Sequence, residues 1–84
     1  MDSIALSIVS DYRKYGKNGN SNDTAVCFIV WKAKVLQNWK YLISTDAVDG
    51  MYYEMTYNGD KKEWYLDVYK KQKNVVIKDQ EGVE

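Results

Sequence analysis

Residues 49–71 read DGMYYEMTYNGDKKEWYLDVYKK, and this stretch decides the fold. Apolar and polar residues alternate on both sides of Asn58-Gly59, the period of a half-buried strand. Asn-Gly between two alternating segments is the strongest short-range hairpin signal. The alternation predicts strands over 51–57 and 62–70 around a loop at 58–61. Met51, Tyr53, Met55 and Tyr57 share one face of the first strand; Trp64, Leu66 and Val68 share one face of the second. Matching those faces needs odd positions opposite even ones. A two- or four-residue loop does this, whereas a three-residue loop without a bulge turns one strand over. The two-residue loop sets Glu54 against Glu63, a repulsive pair. The four-residue loop is therefore expected, with Met55 opposite Trp64, Tyr53 opposite Leu66 and Met51 opposite Val68.

Upstream, residues 25–35 alternate as a first strand. Ala25, Cys27, Ile29, Trp31, Ala33 and Val35 lie on one face. Val26, Phe28 and Val30 make the other face apolar too, before Lys32 and Lys34 return it to water. A strand apolar on both faces reads as central, or covered on both sides. Leu36 to Asn38 turns the chain into a second strand, Trp39–Thr45, and Asp46–Gly50 forms a loop. Residues 17–24, KNGNSNDT, are all turn formers and read as a polar connection.

Residues 2–15 carry a different period. Ile4, Ala5, Ile8, Val9, Tyr12 and Tyr15 form one stripe at helical spacing. Asp2 or Ser3 is placed to cap the helix, and Gly16 sits where a left-handed terminating residue is expected. At the other end, Val75–Ile77 is a short apolar run that would serve as a fifth edge strand. Residues 79–84 read as a flexible acidic tail. The expectation is one α+β domain over 1–78: an N-terminal helix on an antiparallel meander of four strands, or five with Val75–Ile77. Its core is expected to hold Ile4, Ile8, Val9, Cys27, Ile29, Trp31, Ile43, Leu66 and Val68, with Trp64 at least half buried.

Composition narrows the chemistry. The 84 residues carry 12 Lys+Arg against 12 Asp+Glu and no His. At 45% hydrophobic the chain is globular rather than disordered. Without histidine the usual general base and commonest zinc ligand are missing. Cys27 has no imidazole to pair with and sits in the apolar run Ala25–Trp31, where a buried thiol is the plain reading. The five glycines form no phosphate-binding pattern. No catalytic residue, cofactor or metal ligand is expected, and the chain does not read as an enzyme. One cysteine suits a reducing compartment. The Ala25–Trp31 run is far short of a bilayer span, and no signal peptide is expected after Met1.

Val30-Trp31 through Asn38, then Leu42–Thr45, Asp49–Lys61 and Tyr65–Lys71 carry a resemblance. The sequence resembles a family of small proteins carried by phages and prophages of Gram-positive bacteria, streptococci and other lactic-acid bacteria among them, over roughly residues 26–77. That family has no assigned activity, so no site residue carries over. The resemblance implies a phage-borne accessory protein in the bacterial cytoplasm. Such proteins often act by binding a host protein, and inhibitors of CRISPR nucleases and other defence enzymes are the best-known group.

Two readings of the residues compete. With the helix on the face of Trp64, Leu66 and Val68, the opposite face carries Tyr52, Glu54, Thr56, Glu63, Tyr65, Asp67 and Tyr69. Tyrosine supplies contact area and a hydrogen-bonding tip at low entropy cost, so this face reads as a protein-binding surface for a host protein or a second copy. Tyrosine is also a good strand former on an ordinary solvated face. The second reading is nucleic-acid binding through Lys61, Lys62, Lys70, Lys71 and Lys73. The zero net charge, the acid-flanked tyrosines and the single arginine, Arg13, speak against it. Lysines at strand ends also discourage edge pairing without any ligand.

Overall fold

The computed structural model describes residues 1–72 and 75–78. Helix α1 (Asp2–Tyr15) is followed by strands β1 (Cys27–Val35), β2 (Asn38–Thr45), β3 (Met51–Asn58) and β4 (Glu63–Lys70). The strands form one antiparallel sheet in the order β1-β2-β3-β4, the expected α+β meander. Helix α1 lies on one face over β1 and β2. Val75–Ile77 is exposed and forms no fifth strand. The tail over 79–84 lies outside the described residues.

The core is the seam between helix and sheet. Ala5 and Val9 of α1, Tyr41 and Ile43 of β2, and Tyr53 and Met55 of β3 are fully or almost fully buried. Ile8, Cys27, Ile29, Trp64, Leu66 and Val68 pack against them, partly buried. The buried helical stripe runs through Ala5, Val9 and Tyr12. Ile4, about 100° around the helix from Ala5, falls at its margin and is exposed, contrary to expectation.

Trp31 is the larger correction. Ile29 pairs with Ile43, but Trp31 pairs with Leu42, so β1 bulges at Val30. One extra residue turns the rest of the strand over. Trp31 thereby faces away from the helix, about half exposed, and Lys32 swings onto the helix side. There the Lys32 Nζ donates to Asp2 Oδ2 at 2.7 Å, while the buried Tyr41 hydroxyl donates to Asp2 Oδ1 at 2.9 Å. Asp2 thus fastens the helix to the sheet instead of capping it, and no side chain caps α1. Burial first, then donation to Asp2, pushes the Tyr41 hydroxyl up to about 12.

Strand β1 is also an edge strand, not a central one, despite its two apolar faces. Gly16 is extended (φ −74°, ψ −179°), not left-handed; a Cβ there would meet the Tyr12 carbonyl oxygen at 2.7 Å. Close approach, not positive φ, requires that glycine.

The β3–β4 loop has four residues as expected, but it spans 59–62 rather than 58–61. Tyr57 pairs with Trp64, Met55 with Leu66 and Tyr53 with Val68. The register is two residues from the expected one, so every side chain keeps its face. The Asn58 Oδ1 accepts from the Asp60 and Lys61 amides at 3.1 and 3.2 Å. Lys62, not Gly59, takes the positive φ of 55°. Gly59 is needed because a Cβ would run into the Gln37 carbonyl of the neighbouring hairpin.

Candidate protein-binding face

Strand parity sets the face opposite the helix. Tyr52 stands opposite Tyr69, Glu54 opposite Asp67, Thr56 opposite Tyr65 and Asn58 opposite Glu63. The six residues expected to bind protein, Tyr52, Glu54, Glu63, Tyr65, Asp67 and Tyr69, therefore do share one surface. No described element covers it. The molecule is only 18 Å through its thinnest dimension, room for one helix and one sheet.

The face is wider than the sequence suggested. The Val30 bulge adds Trp31, and Phe28 and Leu42 join it from β1 and β2. Phe28, Trp31, Tyr52, Tyr65 and Tyr69 are each between 37% and 51% exposed. A bulge leaves no signature in composition, so strict alternation had placed Trp31 in the core. One row crosses the whole sheet as Trp31, Leu42, Glu54, Asp67. The β1–β2 half is thus mainly apolar, with Lys40 at its border with β3, and the β3–β4 half is tyrosine-rich and acidic.

Electrostatics within the face are only partly balanced. Lys40 Nζ lies 3.5 Å from Glu54 Oε1, both partly exposed, a weak pair. The Tyr65 hydroxyl donates to Glu63 Oε2 at 2.7 Å, which raises the phenol pKa through that bond first. Asp67 has no ion pair among the described residues.

The lysines do not gather into one patch. Lys61 and Lys62 sit in the β3–β4 loop, while Lys70 and Lys71 lie at the far end of β4. Lys62 and Lys70 are eight residue steps apart along the strand, roughly 27 Å at ~3.4 Å each. Between them the face is acidic. Lys73 lies outside the described residues.

A second polar cluster escaped sequence reading because its members are far apart in the chain. The Arg13 side chain is 8% exposed. It reaches Asp23 at 2.9 Å, Asp49 at 2.8 Å and the Tyr53 hydroxyl at 2.9 Å. Burial by itself lowers the guanidinium pKa, but acceptance by Asp49, Tyr53 and Asp23 outweighs it and raises the net value. The Asp23 carboxylate is held below its usual range by the Ala25 amide, then by Arg13. Burial opposes the same effect at Asp49, where the Met51 amide and Arg13 prevail. A cleft of about 290 Å³ opens beside this node, lined by Tyr12, Arg13, Asp23, Asp49, Met51 and Tyr53 among others. Its carboxylates are already engaged by Arg13, so the node locks α1, the 17–26 connection and the β2–β3 loop together.

Among the described residues no three His, Cys, Asp or Glu side chains are grouped to hold a metal. No helix among them is long and apolar enough to cross a membrane. Burial first raises the Cys27 thiol pKa, the opposite of what a nucleophile needs.

One helix on an antiparallel meander with a bare aromatic face defines a two-layer α+β protein organised around a sheet surface. The chain belongs to a family of unknown function, DUF6275, whose family model matches residues 2–79. No curated protein and no solved structure matches it.

Proposed function

We propose that this protein works by binding another protein through the open face of its sheet, without catalysis. The observation that carries the reading is the set of uncovered aromatics on one sheet face, Phe28, Trp31, Tyr52, Tyr65 and Tyr69, on a two-layer fold. Large exposed apolar patches on small proteins mark interaction surfaces. Four strands ~4.8 Å apart and eight residues long give about 500 Å² of flat projection before side-chain relief. That approaches the ~800 Å² per partner of a standard interface.

The face is a better interface than the free β1 edge. The Val30 bulge and Lys34 interrupt that edge, the usual devices against strand addition. The resemblance to phage-borne proteins supports a host protein in the bacterial cytoplasm as the partner, with a defence enzyme such as a CRISPR nuclease the leading class. Affinity capture from a Gram-positive lysate, followed by binding of the captured partner to Tyr65→Ala and Tyr69→Ala, tests it. If Lys70→Glu with Lys71→Glu abolishes function and the tyrosine changes do not, nucleic-acid binding replaces this reading.

A further inference from the structure

We infer that the open face accepts a protein of different sequence, not a second copy, and that this partner seats an arginine on Asp67 between Tyr65 and Tyr69. The inference rests on the proposed function and names the chemistry of its partner. The face has two unlike halves: Phe28, Trp31 and Leu42 with Lys40 on β1–β2, and Glu54, Glu63 and Asp67 with three tyrosines on β3–β4. A face-to-face dimer with its two-fold axis across the strands sets acid on acid. With the axis along the strands, acid lies on a mainly apolar half whose Lys40 already serves Glu54 of its own sheet. Neither isologous arrangement is complementary. A partner apolar in one half and cationic in the other meets both halves.

The acidic half has two carboxylates without a cation among the described residues, Glu63, which accepts from the Tyr65 hydroxyl, and Asp67, which has no such donor. Glu54 and Asp67 are direct cross-strand neighbours, with Cβ atoms about 5 Å apart by general strand geometry. Lys40 reaches Glu54, and Asp67 has no cation among the described residues. Tyr65 and Tyr69 flank Asp67 two residues to either side on the same face, and Tyr52 stands opposite Tyr69. The Tyr65 hydroxyl is held by Glu63, on the side of Tyr65 away from Asp67, so the phenol tip does not compete for the Asp67 carboxylate. A cation above Asp67 gains the carboxylate and the ring faces together. A guanidinium suits this better than an ammonium, since it is planar, stacks on aromatics and grips a carboxylate with two donors. Phosphate backbones and anionic lipids are repelled by the same carboxylates.

The test is an amide chemical-shift titration of the full chain with N-acetyl-arginine amide. Saturable shifts are expected at Glu54, Tyr65, Asp67 and Tyr69 in roughly the millimolar range, about threefold weaker with the lysine analogue and absent with the citrulline analogue. Asp67→Asn should abolish them, and Asp60→Asn in the exposed loop should not. Sedimentation at about 100 µM, where a micromolar dimer would be nearly complete, should show a monomer. Shifts spread evenly over exposed carboxylates, or a dimer lost on Tyr69→Ala, would overturn the inference. The captured partner separates the two claims. Loss of affinity in Tyr69→Ala with none in Asp67→Asn leaves the binding face standing and removes the arginine seat.

Discussion

Glu54 and Asp67 face each other directly across β3 and β4, two carboxylates on the open side of the sheet. Like charges in this position destabilise a strand pair. The opposite face of the same two strands carries Met55 against Leu66 and Tyr53 against Val68. Apolar burial on the helix side therefore holds a register that the open side resists. The unfavourable pair is retained on the surface proposed to bind.

Core truncation should scale with burial, not with the sequence-derived core. Met55 is fully buried and Leu66 only partly. Met55→Ala should lower stability by about 3 kcal/mol and Leu66→Ala by about 2 kcal/mol, within the usual ~2–5 range for such truncations. Urea midpoints measure both, with Met55→Leu as the volume-conserving control. The reverse order would show that Leu66, not Met55, is the more deeply buried of this cross-strand pair.

Arg13→Gln leaves Asp23 and Asp49 without their shared cation. A loss of about 2 kcal/mol is expected, below the ~3–5 kcal/mol of a fully buried pair because Asp49 keeps contact with water. Both carboxylates have depressed folded pKa values. Their contribution is present above the unfolded value of about 4 and disappears as pH falls through the folded values. The gap between parent and Arg13→Gln should therefore be constant above about pH 5 and shrink below about pH 4. Urea melts across that range read it directly; a gap independent of pH would mean that Arg13 acts only by packing.

Much of this architecture is legible in the sequence. The helix over 2–15, the four strands and the four-residue β3–β4 loop follow from periodicity and turn chemistry, because these are local properties. The shared face of Tyr52, Tyr65 and Tyr69 follows as well, since parity survives a register shift of two. Three things are not local. The extra residue at Val30 looks like any strand valine, so Trp31 and Lys32 exchange sides unseen. Tyr41 and Tyr53 are buried because Asp2 and Arg13 meet their hydroxyls, and nothing in the strand pattern announces those partners. Arg13 itself stands 36 residues from Asp49.

Gly59→Ala should destabilise the protein by roughly 1–3 kcal/mol, the usual range for an added methyl with no space. The expected clash is with the Gln37 carbonyl, so the two hairpin tips must separate. Thermal melts give the size, and amide shifts at Gln37 and Asn38 locate the strain. An unchanged melt would mean that the tips are not in contact.

Trp31→Ala separates the bulged strand from a regular one. On the open face its removal should lower stability by about 1 kcal/mol or less, against ~3–5 kcal/mol for a buried tryptophan. Its fluorescence should also be readily quenched by iodide in the folded protein, as shown by comparing parent and variant. A large destabilisation would return Trp31 to the core and undo the bulge.

The most direct measurement is the affinity of the captured partner for Tyr65→Ala and Tyr69→Ala, each first shown by circular dichroism to fold as the parent does. A truncated anchor at the centre of an interface typically loses about thirtyfold in affinity, and that loss is expected for at least one of the two. Parent-like affinity in both would contradict the claim that this protein acts through the open face of its sheet.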